Sequence, residues 1–77
     1  MDGIMRATAL LNDVARALAL LSDYGLRVAE WQASSRQGGM IRMESMEAAE
    51  CARRLLLPGL EDVTILREDC TLYLRLE

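Results

Sequence analysis

In the stretch VTILREDCTLYLRL, residues 63–76, apolar and polar side chains alternate over two runs parted by a charged turn. Val63 and Ile65 alternate with Thr64 and Leu66; Leu72, Leu74 and Leu76 alternate with Thr71, Tyr73 and Arg75. A period of two is the pattern of a half-buried strand. Arg67, Glu68 and Asp69 between the runs predict a turn, and so a hairpin over residues 62–76.

Working outward from this hairpin, Pro58-Gly59 marks a sharp stop for whatever precedes it, because proline cannot continue a helix. Residues 45–57 read as that helix. Ser45 is placed to cap its N-terminus, and Glu47 lies in the first turn, where a negative charge suits the helix dipole. Ala48, Cys51, Ala52, Leu55 and Leu56 share one predicted face. Glu47, Glu50, Arg53 and Arg54 lie opposite, with Glu50 and Arg54 at i,i+4 spacing.

Further upstream, residues 26–44 read as a second hairpin. Leu26 and Val28 point one way, while Arg27, Ala29 and Trp31 point the other. The polar run SSRQGG, residues 34–39, predicts the turn, and Ile41 and Met43 share a face of the return strand. Residues 3–23 form the first helix. Ile4, Ala7, Leu10, Leu11, Val14, Ala17, Leu18 and Leu21 fall in one arc of about 160° at helical spacing, with Met5 and Leu20 as misfits on the polar side. Gly25 supplies a left-handed stop.

The predicted order is therefore αββαββ over a single domain, residues 1–77. Four antiparallel strands with both helices on one face would bury every apolar stripe, giving an α+β two-layer sandwich. The order equals a ferredoxin-like βαββαβ sandwich with its first strand moved to the end. That is an analogy of fold and carries no function.

Composition bounds the chemistry. The chain has 77 residues, 52% hydrophobic and 27% charged, with nine basic and twelve acidic side chains for a net charge of −3. All the basic residues are arginine, and histidine and lysine are absent. Without histidine there is no imidazole base, no triad built on one and no use of the commonest metal ligand. Without lysine there is no Schiff-base nucleophile and no P-loop lysine. Cys51 and Cys70 are too few for a zinc site or a disulfide framework and are expected as buried core fillers. The carboxylate pairs Glu61-Asp62 and Glu68-Asp69 read as solvated turn charges. No catalytic residue, metal or cofactor is expected. Asp2 stands where a signal peptide would carry basic charge, and Arg6, Asn12, Asp13 and Arg16 interrupt the first apolar stretch. A cytoplasmic protein that does not span a membrane is expected.

One candidate surface remains. Strict alternation places Arg27, Trp31, Arg42, Tyr73 and Arg75 on the sheet face away from the helices, alongside Ala29, Met40, Glu44, Thr64, Leu66 and Thr71. Tryptophan, tyrosine and arginine are the residue types most enriched in binding hot spots. The same residues would also make an ordinary half-solvated face, and a bulge in the first strand would swing Trp31 toward the core. The expectation is a non-enzymatic protein-binding module, contacting another protein or a second copy of itself as a homodimer. In size and charge the chain is similar to phage-encoded inhibitors of bacterial defence such as anti-CRISPR proteins, a likeness that no motif carries. The alternatives are a single-stranded nucleic-acid binder using the open sheet, which the acidic balance opposes, and a small-ligand-sensing dimer. An acidic face around Glu47, Glu50, Glu61 and Asp62 is the next candidate surface.

Overall fold

The computed structural model describes the backbone of residues 2–34, 38–60 and 63–76 and, within these, the side chains of residues 12–33, 38–60 and 63–75. Helix α1 (Asp2–Asp23) is followed by strands β1 (Val28–Ser34) and β2 (Gly38–Met43), helix α2 (Met46–Leu56), and strands β3 (Val63–Glu68) and β4 (Thr71–Leu76). The sheet order is β1-β2-β4-β3, with every neighbouring pair antiparallel. Since β2 and β3 both run antiparallel to β4, they are parallel to each other. The β2–α2–β3 segment is thus a βαβ unit split by β4, as the permuted ferredoxin-like order requires.

Local chemistry sets the element boundaries. At the end of α1, Gly25 takes φ +75°. The Leu26 N–H donates to the Leu21 carbonyl at 2.9 Å and the Gly25 N–H to the Ser22 carbonyl at 3.0 Å, a Schellman closure that satisfies two orphan carbonyls. Ser45 caps α2, its hydroxyl accepting from the Ala48 N–H at 3.0 Å. The Leu57 N–H still donates to the Arg53 carbonyl before Pro58 stops the helix.

The core lies between the helices and one sheet face. Val14, Ala17 and Leu21 of α1 and Ala49, Ala52 and Leu56 of α2 meet Ile41, Met43, Val63, Ile65, Leu72 and Leu74, all buried. Directly paired residues on antiparallel strands share a face. The pairings Ile41↔Leu72 and Ile65↔Leu74 therefore put all of this apolar surface on the helix side.

Several expectations shift. The register slips between Val28 and Glu30, so that Val28 pairs with Met43 but Glu30 with Arg42 and Trp31 with Ile41. The extra residue reverses the alternation that follows it. Trp31 is consequently on the helix side of the edge strand, and Glu30 and Gln32 take the outer positions. The first strand starts later than expected, and its partner starts at Gly38 rather than Met40; residues 35–37 of the expected turn lie outside the described residues. The second hairpin is tighter than expected: β3 runs through Glu68, leaving Asp69 and Cys70 as the loop, with Asp69 at φ 54°. Aspartate tolerates this left-handed conformation better than most residues.

Helix α2 is rolled by about 60° from its expected setting, at 100° per residue, so that its inward stripe is Ala49, Ala52 and Leu56. This leaves Cys51 exposed and corrects its reading as a core filler; Cys70 is half-buried in the hairpin loop, and both thiols are free. Leu20, a misfit on the polar side of α1, packs against the core. It lies beside the turn after α2, where a Cβ on Gly59 would sit 3.4 Å from its Cδ1.

Gly38 has a requirement of its own. Its φ is +80°, and an added Cβ would press into the Leu74 carbonyl oxygen, a backbone atom that cannot swing aside. Gly38→Ala is expected to lower the unfolding free energy by about 2 kcal/mol or more, from strain plus the disturbed β2–β4 ladder. A urea titration with an unchanged m-value checks it; a loss below about 0.5 kcal/mol would contradict the close approach.

Candidate functional site

The helix-free face of the sheet is laid out by the strand pairings as rows running across the strands. Glu30, Arg42, Thr71 and Glu68 form one row; Gln32, Met40, Tyr73 and Leu66 form the next. A third row holds Arg75 beside Thr64, with Gly38 next to Arg75 on the β2 side. The middle row is the apolar one. Leu66 is 56% exposed and Tyr73 41% exposed, while Met40 is half-buried between its neighbours.

Three of the five residues expected on this face are there: Arg42, Tyr73 and Arg75. Trp31 is not. The bulge turns it to the helix side of β1, where it stays 47% exposed because β1 is an edge strand. Arg27 precedes β1 and is exposed, outside the sheet register. In their place the structure brings Glu30 and Gln32. A signal for this was present in the sequence: unbroken alternation from Val28 would aim Glu30 and Gln32 into the core, and polar residues at core positions of an edge strand point to a bulge.

Charge on the face is partly neutralised. The Arg42 Nη2 donates to Glu30 Oε2 at 3.0 Å across the β1–β2 pair, with both side chains about half exposed. Among the described residues Arg75 and Glu68 have no ion-pair partner. Between Leu66, Arg67, Glu68, Tyr73 and Arg75 lies a shallow depression of about 530 Å³.

A second cluster lies where α2 overhangs the β3 edge. Glu50, expected on the solvated face, is drawn inward by the roll of the helix and meets three arginines. Arg53 grips it with two bonds, Nε to Oε2 at 3.2 Å and Nη2 to Oε1 at 2.7 Å. Arg67 reaches across from β3, Nε to Oε2 at 2.9 Å, and Arg54 adds a longer contact at 3.4 Å. Arg67 can do so because it pairs with Leu72 and so shares the helix side of the sheet. Its Nη1 also donates to the Asp69 carbonyl, which braces the hairpin loop. Neither the helical spacing of Glu50 nor the turn reading of Arg67 suggested that they meet.

The Arg53 hydrogen bonds hold the Glu50 carboxyl far below its ordinary value of 4.5, at about 2; partial desolvation opposes this, and Arg67 and Arg54 add to it. Arg53 is shifted upward in return, chiefly by its hydrogen bond to Glu50. The cluster is a structural tie between α2 and β3. The described residues contain no group of three or more histidine, cysteine, aspartate or glutamate side chains able to hold a metal ion. No helix among them is long and apolar enough to cross a membrane.

No family model, curated protein or solved structure matches this chain.

The lowered Glu50 value fixes the sign of a pH effect. Because the folded state holds the carboxylate ionised, the stability it contributes is present above about pH 4.5 and is lost as pH falls toward about 2. Urea midpoints measured across this window should fall with acidification, and the slope should be shallower in Glu50→Gln. An identical acid limb in the variant would show that the cluster is not coupled to folding.

Proposed function

We propose that the chain is a non-enzymatic protein-binding module and that its contact surface is the helix-free face of the sheet. The observation that carries this reading is the middle row: Met40, Tyr73 and Leu66 stand side by side, with Tyr73 and Leu66 well exposed and no helix over them. The cross-strand Leu66–Tyr73 pair supports the hairpin by itself, but with Met40 beside it the row forms a contiguous apolar strip that a second surface could cover. An apolar centre with charged residues on either side is the usual layout of a recognition patch.

The chemistry of the chain supports the non-enzymatic part. Histidine and lysine are absent; Cys51 shares a shallow depression with Glu47, Glu50 and Arg54, where the arginine is already engaged by Glu50, and Cys70 is a hairpin-loop residue. The nucleic-acid alternative draws less support from the folded face than from the bare residue types. Of its two arginines, Arg42 is already engaged by Glu30, and the whole chain carries a net charge of −3. An inhibitor or regulator of a larger protein, the role suggested by size and charge, needs only such a surface.

The test is affinity capture with matched variants. Tyr73→Ala and Leu66→Ser should weaken capture of a partner by roughly tenfold or more, the effect of a hot-spot side chain. Arg54→Ala, on the exposed side of α2 with its side chain 76% accessible, should leave capture unchanged. Partners retained by both sheet variants and lost with Arg54→Ala would move the surface to α2.

A further inference from the structure

We infer that the partner of the helix-free face is a second copy of this chain, packed face to face about a two-fold axis running across the strands, along the Gln32–Met40–Tyr73–Leu66 row. This rests on the reading of that face as the contact surface and names its occupant.

The fold leaves two charges on this face unsatisfied. Glu68 and Arg75 are exposed, lie on the same face and have no ion-pair partner among the described residues. Within one chain they are kept apart. Glu68 pairs with Thr71 at one end of the β3–β4 ladder and Arg75 with Thr64 toward the other, so two row spacings, on the order of 13 Å, separate them. The apolar row lies midway between.

A two-fold axis along that row brings them together. Rotation about it carries each strand over its own copy and exchanges the two outer rows, so that Tyr73 meets Tyr73 and Leu66 meets Leu66. Arg75 then lies over Thr71 of the second copy, with Glu68 of the second copy one strand away. Packed sheets stand roughly 10 Å apart, a gap that an arginine and a glutamate side chain reaching from opposite sides can span. Symmetry makes the contact twice, once from each copy. The depression of about 530 Å³ that Leu66, Glu68, Tyr73 and Arg75 help to line lies across this row and offers room for the facing side chains.

The other two-fold arrangement, with its axis along the strands, fails on charge. It lays β1 over β3 and β2 over β4 of the second copy, so that Glu68 meets an Arg42–Glu30 pair that is already satisfied, while the two Arg75 side chains come within one strand of each other, like charge beside like. Of the two aligned arrangements, the one with its axis across the strands is complementary.

The face is small, about 19 Å across four strands and about 13 Å over three rows, which puts the contact at the low end of specific interfaces and predicts a micromolar dimer. Association also suits a chain of 77 residues, since domains of this size bury a modest share of their surface and often gain stability by pairing.

Sedimentation equilibrium of the full chain from about 1 to about 500 μM tests the proposal. The mass is expected to rise from 8.6 kDa toward twice that value over this range. Arg75→Glu and Glu68→Arg should each weaken the dimer at least tenfold, and the two together should restore it by exchanging the partners. Both side chains are exposed, so circular dichroism should show all three variants folded. A monomer at every concentration overturns the inference, as does a dimer that neither charge reversal weakens or a double variant that does not recover. If the chain stays monomeric while Tyr73→Ala still loses a captured foreign protein, the face is a contact surface for another occupant. If it stays monomeric and both sheet variants capture as the native chain does, the reading of the face fails too.

Discussion

Strand β4 follows the other three strands in the chain but lies inside the sheet, hydrogen-bonded to β2 on one side and β3 on the other. The rest of the architecture depends on this insertion. Each hairpin alone would be marginal in water. With β4 in place, the β1–β2 ribbon and the β3–β4 ribbon become one four-stranded surface, broad enough for two helices to cover. Leu72 and Leu74, wholly buried, form the middle of the core, facing Ile41 and Ile65 on either side. The Met43 N–H extends the β2–β4 ladder to the Cys70 carbonyl at 2.7 Å, so the hairpin loop itself is held by β2. Gly38 belongs to the same constraint, because the close passage of β2 along Leu74 leaves no room for a side chain there.

The two sides of this sheet are held by different physics. On the helix side, apolar burial is supplemented at the β3 margin by Glu50 and its arginines, where one carboxylate draws charge-assisted bonds from α2 and from β3. On the open side there is no second layer. The Arg42–Glu30 pair satisfies the charge on the β1–β2 half, while the β3–β4 half keeps Glu68, Arg75, Leu66 and Tyr73 available. This difference between two halves of one face is what gives it a direction.

Much of the fold was legible in the sequence because it rests on local rules. The period-two runs at Val63–Ile65 and Leu72–Leu74, the Ser45 cap, the Gly25 stop and the Pro58 break are all read from neighbouring residues, and the structure contains each of them. The site was less legible. Arg42, Tyr73 and Arg75 were placed on the right face because β2 and β4 are unbroken inner strands, where alternation carries through. Trp31 was misplaced because β1 is an edge strand, and an edge can absorb an extra residue without disturbing a second neighbour. Cys51 and Glu50 were misplaced because a 100° helical arc locates an apolar stripe only as well as its residues differ in hydrophobicity. In α2 alanine, cysteine and leucine cover an arc of about 160°, wider than the stripe that is buried.

Taken alone, the sequence determined the element order, the helix caps and stops, the inward side of each inner strand and the chemistries that its residue types forbid. Those follow from backbone geometry and side-chain identity within a few residues. Only the tertiary structure decided where the register slips after Val28, the roll of α2 and the meeting of Glu50 with Arg67. Each of these is set by what a distant segment presents. Pairing energy along a shared ladder and burial against a second layer outweigh the local pattern where the local pattern is weak.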